Sequence, residues 1–137
     1  MKLSTLFMAL CLACVTSVNA KNWEAKWITS SECQTRSNSW ICFHKSVELP
    51  SLEGQTVYAD IAVDSKYWLW INGEMVVFEG GLKRGPNPQD TYYDHVDITK
   101  YLTQGENSIA VLMWYFGKDG FSHKSSGKAG LLFDCQA

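Results

Sequence analysis

The sequence predicts an all-β fold, a two-sheet antiparallel β-sandwich or jelly roll. From Trp27 onward apolar residues alternate with polar ones and seldom recur at helical spacing. An Asn72-Gly73 pair sits between two runs rich in aromatic and β-branched residues, which is the signature of a tight hairpin. Turn signals and two long loops separate the short runs, and no helical stretch exists to cover an open α/β sheet. The same alternation would also serve a small closed barrel, because strand pairing cannot be read from the pattern.

The first strand is expected at 40–49, WICFHKSVEL, with Trp40, Cys42 and His44 on one side and Ile41 and Phe43 on the other. Pro50 stops it by withholding a ladder donor. The next strand, 56–63, turns Val57, Ala59, Ile61 and Val63 one way and Tyr58 and Asp60 the other. Tyr67-Trp68-Leu69-Trp70-Ile71 then runs into Asn72-Gly73 and out through Glu74-Met75-Val76-Val77-Phe78. Asn and Gly accept the positive φ that a type I′ turn demands. Residues 80–90, GGLKRGPNPQD, are too rich in Gly and Pro for a helix or an inner strand. Asp97 is placed to cap a brief helical turn over 97–102. Gly105-Glu106-Asn107 reverses the chain into SIAVLMWY at 108–115, the leading candidate for a buried strand. A second loop over 117–128 precedes the last strand, AGLLF, at 129–133.

The 137 residues provide one core and no room for a large catalytic module beside an accessory one. A hydrophobic content of 46% with 19% charged residues excludes disorder. Twelve basic against fourteen acidic side chains give a formal charge of -2. No nucleic acid partner is expected from that balance. Met1-Lys2 and the apolar run to Ala20 read as a signal peptide over 1–20, leaving a domain over 21–137 and no stable membrane span after processing. The expected location is secreted or periplasmic. Lipidation of Cys14 is the alternative, weakened because Cys11 and not Leu stands three residues before it.

Processing would leave Cys33, Cys42 and Cys135, an odd number. Either one disulfide and one free thiol form, with Cys33 and Cys42 the nearer pair in sequence, or all three stay thiols. No Cys-x-x-Cys remains, and His44, His95 and His123 lack metal-ligand spacing, which disfavours structural zinc and a redox motif.

Chemistry has few candidates. Asp90, Asp94 and Asp97 lie beside Tyr92 and Tyr93, and a carboxylate pair can hydrolyse a glycoside when its separation is controlled. Asp97 serves equally as a cap and Asp94 as a loop acceptor. No serine lies in a Gly-x-Ser-x-Gly elbow, and His123 has no identifiable orienting partner. The chain alone is therefore expected to be non-catalytic. No cofactor is expected; calcium on Asp90, Asp94 or Asp119 is the alternative, without a recognised loop motif.

Six tryptophans, Trp23, Trp27, Trp40, Trp68, Trp70 and Trp114, are the informative surplus. Indoles stack on the C–H faces of sugars, and they also fill cores and interfaces. Trp114 is expected in the core, and Trp27 and Trp40 in the core or a domain contact. The candidate carbohydrate or interdomain contacts are Trp68, Trp70, Lys83, Arg84, Tyr92, Tyr93 and His123.

AKWI at 25–28, WICFHKSVEL at 40–49, DSKYWLWINGEMV at 64–76 and EGGLKRGP at 79–86 follow one another in an order that resembles the N-terminal β-sandwich of bacterial α-L-rhamnosidases. YYDHVDITKYLTQGENSIAVLMWYFG at 92–117 and GKAGLLF at 127–133 continue the resemblance over nearly all of 21–137. It implies a galactose-binding-like jelly roll, an accessory domain of a larger secreted glycosidase that removes terminal rhamnose from glycans with inversion. The carboxylates of that reaction would lie on a later α/α toroid, so no catalytic residue is assigned here. The implied partner is the C-terminal catalytic domain of the same polypeptide, with direct contact to a plant or bacterial glycan as the alternative. The matching contact loops would be 80–93 and 117–128. An independent secreted carbohydrate-binding module is the other reading of the chain.

Overall fold

The computed structural model describes residues 21–82 and 91–136. The expected signal peptide and Lys83, Arg84 and Asp90 lie outside the described residues. Among the described residues seven strands form two antiparallel sheets: β1 Ser39–Leu49, β2 Tyr58–Asp64, β3 Lys66–Ile71, β4 Glu74–Gly81, β5 Asp94–Asp97, β6 Gly105–Tyr115 and β7 Gly130–Gln136. The larger sheet has the order β1-β6-β3-β4 and the smaller β5-β2-β7. They pack face to face as a sandwich. Among the described residues there is no α-helix, only a 3₁₀ turn at Thr99–Tyr101, and no helix is long and apolar enough to cross a membrane.

Alternation decides which side chains meet. Ile41, Tyr67, Leu69, Ile71, Val111 and Met113 point inward from the larger sheet, and Ala59, Ile61, Val63 and Leu131 answer from the smaller one. Burying one such aliphatic side chain contributes about 1.5–3 kcal/mol, so this two-sided layer dominates the fold. The hairpin between β3 and β4 forms as expected, with Asn72 at φ 52° and Gly73 at φ 82°, the left-handed pair of a type I′ turn.

Two buried polar nodes lock the connections. The Asn107 side chain has no exposed surface. Its Nδ2 donates to the carbonyls of Thr103 at 2.7 Å and Gly105 at 2.9 Å. Its Oδ1 accepts from Asn72 Nδ2 and from the Thr103 amide, both at 2.8 Å. The Gly-Glu-Asn turn and the Asn-Gly hairpin are thereby joined. At the other end, Asp64, 1% exposed, accepts from Ser65 Oγ at 2.6 Å, the Ser126 amide at 2.7 Å and Ser126 Oγ at 2.8 Å. That carboxylate ties the 117–128 loop to the β2–β3 junction.

Several expectations need correction or completion. Asp94–Asp97 is a strand, β5, where the sequence suggested only a loop and a cap; four residues at a sheet edge are too few to show alternation. Asp94 acts as an acceptor all the same, bonding the Tyr67 hydroxyl at 3.0 Å and the Gly81 amide at 2.9 Å. Asp97 accepts from the Thr99 amide at 3.0 Å, at the start of the short turn. Trp114 is not in the core: β6 points Val111, Met113 and Tyr115 inward, so Trp114 stands half-buried on the outer face. Trp27 and Trp40 are half-exposed, which excludes them from the core as well. Cys33, Cys42 and Cys135 are all free thiols.

Candidate functional site

The outer face of the larger sheet carries an aromatic ridge. Register places Trp40 of β1 directly opposite Trp114 of β6, while Trp68 of β3 lies opposite Leu112, two residues along β6. Trp40 stacks on Trp114 with ring centres 4.8 Å apart and on Trp68 at 5.5 Å. Phe78 of β4, 69% exposed, meets the edge of Trp68, so the ridge crosses all four strands. Phe116 extends it at the other end, edge-on to Trp114 at 4.6 Å and to His123 at 5.0 Å. Indole faces spent on one another are withdrawn from sugar stacking, but their edges and Phe78 leave a continuous apolar surface. Soluble chains seldom leave such a patch uncovered.

Cavities open at the end of this ridge and, away from it, at Trp27. One, of about 470 Å³, is lined by Asn38, Trp114, Phe116, Lys118, Phe121 and His123. Asn38 Oδ1 accepts from Trp114 Nε1 at 2.9 Å, fixing the indole. His123 is 8% exposed; its carbonyl accepts from the Gly120 amide at 3.1 Å. Asp119 on the same loop accepts from Lys124 at 2.5 Å and from the Ser125 amide at 3.0 Å, and the Lys124 bond holds its carboxyl below the usual range. The second cavity, of about 280 Å³, is lined by Trp27, Thr29, Gln34, Asp64, Ser126 and Lys128. Here the AKWI and GKAG segments converge. Trp27 lies against Gly130, where a Cβ would come within 3.0 Å of the indole.

The candidate residues thus part company. Trp68 joins the ridge. Trp70 shares its face, opposite Ala110 and Met75. His123 lies at the end of the ridge. Tyr92 is exposed, and Tyr93 packs elsewhere, edge-on to Trp23 at 5.1 Å. Lys83 and Arg84 lie outside the described residues. The sequence passed over Trp40 and Phe78 as partners of Trp68, and Phe116 as a partner of Trp114; each residue's parity along its own strand was readable, but neither its outward direction nor its adjacency across strands was.

No three carboxylate, histidine or cysteine groups gather as a metal site among the described residues. Asp94 is engaged by Tyr67 and Gly81, and Asp119 by Lys124 and Ser125.

A different cluster lies on the outer face of the smaller sheet. Asp60 of β2 is paired with Asp134 of β7 and with His95 of β5. Lys21 bonds Asp60 and lies 3.3 Å from Asp134, while His95 Nδ1 is 2.5 Å from Asp60. Burial works against both charges, yet the hydrogen bonds prevail: Lys21 titrates above its ordinary range, and Asp60, bonded by Lys21 and His95, below its own.

No family model and no curated protein sequence matches the chain. Solved structures do. The chain is similar to the GH78 family rhamnosidase of Bacillus sp. GL1, at 36% identity and a TM-score of 0.76, over 86% of this chain and 12% of that one. The α-L-rhamnosidase of Dictyoglomus thermophilum matches at 21% identity and a TM-score of 0.57, over 82% of this chain and 14% of that one. That of Streptomyces avermitilis, solved with L-rhamnose, matches at 18% identity and a TM-score of 0.55, over 82% and 12%. The last two show the shared fold alone. The chain spans about an eighth of the length of these enzymes, and it resembles one non-catalytic β-sandwich domain of GH78 α-L-rhamnosidases.

Proposed function

We propose that this chain is a non-catalytic accessory domain of a secreted, rhamnosidase-like glycoside hydrolase, and that it packs against the catalytic domain through the aromatic ridge. The observation that carries this reading is the stack of Trp40 on Trp68 and Trp114, an apolar stripe across a sheet face that the described residues leave open. Rigid aromatic side chains are the residues favoured at the centre of such contacts. Docking of this kind positions and stabilises the larger body in the degradation of rhamnose-containing glycans and needs no reacting group here.

The coding sequence beyond Ala137 gives the first test: the reading requires several hundred residues with α/α periodicity. In the joined polypeptide, oxidative footprinting should protect Trp40 relative to the isolated chain. Equal labelling of Trp40 in both would place the contact elsewhere. The isolated chain should not hydrolyse an aryl rhamnoside, and turnover that survives purification and is lost on mutation within this chain would overturn the non-catalytic reading.

The cavity at Trp27 favours a second reading, glycan binding by the chain itself. A half-exposed indole beside amide, hydroxyl and ammonium groups suits a pyranose ring. A saturable change in tryptophan emission on titration with L-rhamnose or a glycan panel, abolished by Trp27→Ala, would support it; a flat response across the panel would remove it and leave docking intact.

A further inference from the structure

The Lys21 cluster stands apart from the ridge and from the Trp27 cavity. Residues directly opposite on neighbouring strands lie close, and like charges there repel. Asp60 and Asp134 occupy such positions with side chains only 6% and 9% exposed. A cation between them is what the arrangement requires, and Lys21 supplies one. Its ammonium also lies 4.1 Å from the centre of the Trp23 ring and 5.5 Å from that of Tyr93, distances at which a cation is attracted to an aromatic face. His95, stacked on Tyr58 at 4.3 Å, takes the remaining Asp60 oxygen. All three strands of the smaller sheet therefore contribute to the seat of one ammonium group.

We propose that Asp60, Asp134, Trp23 and Tyr93 form a receptor for a primary ammonium group whose own ligand is Lys21, a latch that holds residues 21–28 onto the outer face of the smaller sheet. The far end of the latched segment is Ile28, which exchanges backbone hydrogen bonds of 2.8 and 2.9 Å with Leu131 on β7. Between the two fastenings lies Trp27, at the mouth of the smaller cavity. The latch thus also sets where that indole stands. Because the expected cut follows Ala20, the latch would be made by the first residue of the processed chain.

Hydrogen exchange at the Ile28 amide, with the Val111 and Met113 amides of β6 as internal controls, tests the proposal in the full chain. Lys21→Ala should accelerate exchange at Ile28 by at least about tenfold, the scale of one lost charge-assisted hydrogen bond, without changing β6. Lys21→Met, which keeps the apolar stem, should behave like Lys21→Ala. n-Propylammonium chloride should restore protection in Lys21→Ala saturably, and sodium chloride at equal concentration should not. Where β6 also loses protection, Asp134→Asn is the milder probe and should accelerate Ile28 selectively. Unchanged Ile28 exchange in Lys21→Ala or Asp134→Asn, full protection in Lys21→Met, or equal rescue by sodium chloride would overturn the latch.

Discussion

Trp40 lies almost parallel to Trp114, the two planes 9° apart on neighbouring strands of the larger sheet. Their contact is made on the solvent side, so it stabilises the isolated domain less than a buried pair of the same area would. Trp40→Ala should lower the unfolding free energy by about 1 kcal/mol, the scale of one aromatic pair, as read from urea denaturation. In the proposed joined polypeptide the same substitution should cost more, by about 2 kcal/mol or above if Trp40 is central to the contact. Equal losses in both settings would argue against docking at the ridge.

Asn107 uses both ends of its amide in full burial. Asn107→Asp keeps the shape but sets a carboxylate oxygen against the carbonyls of Thr103 and Gly105, which now accept from Nδ2. Each unsatisfied buried group costs about 1–3 kcal/mol. The variant should therefore lose about 3 kcal/mol or more in denaturant unfolding. A loss under 1 kcal/mol would show that the turn is held by its backbone alone.

Tyr67 is wholly buried beneath Gly80 and donates to Asp94. Burial and the neighbouring carboxylate push its phenol far above the ordinary value. Its folded form therefore keeps the proton that the unfolded chain releases near pH 10. This contribution is complete below pH 10 and declines as pH rises above it. Ultraviolet titration should show Tyr67 ionising only with unfolding. Tyr67→Phe should remove that alkaline step and cost about 1 kcal/mol at neutral pH.

Asp60 supplies the opposite dependence. Its carboxyl titrates below its ordinary range, since hydrogen bonds from Lys21 and His95 outweigh the burial that opposes its charge. Asp134 on β7 and His95 on β5 face the same group. A depressed carboxyl stabilises the fold above its unfolded value, near pH 4, and that contribution is lost as pH falls through the folded one. Asp60→Asn should flatten the acid limb of stability against pH and weaken the share of the alkaline limb that Lys21 supplies through its bond to Asp60, while leaving the Tyr67 step in place. An unchanged acid limb would mean that other carboxylates govern acid unfolding.

Much of this protein was determined by its sequence alone. Period-two alternation put Tyr67, Leu69 and Ile71 on one side of β3 and Trp68 and Trp70 on the other, and Asn72-Gly73 set the hairpin, because both are local consequences of pleat and permitted φ; with both sides apolar, the pattern left open which one is the core. The ordered motifs at 25–28, 40–49, 64–76, 79–86, 92–117 and 127–133 carried the resemblance to rhamnosidases that the structural match upholds. Parity could say that Trp40, Trp68 and Trp114 point the same way along their own strands. Only the tertiary structure decided that this way is outward and that the three stack, because adjacency across β1, β6 and β3 depends on strand order, which no local pattern encodes. The Lys21–Asp60–Asp134 cluster was likewise closed to the sequence: its members lie 39 or more residues apart and meet only because β2 and β7 are neighbours. The early surplus of tryptophan thus resolves into a core that contains none of the ridge indoles, and an outer face whose character depends on which strands were brought side by side.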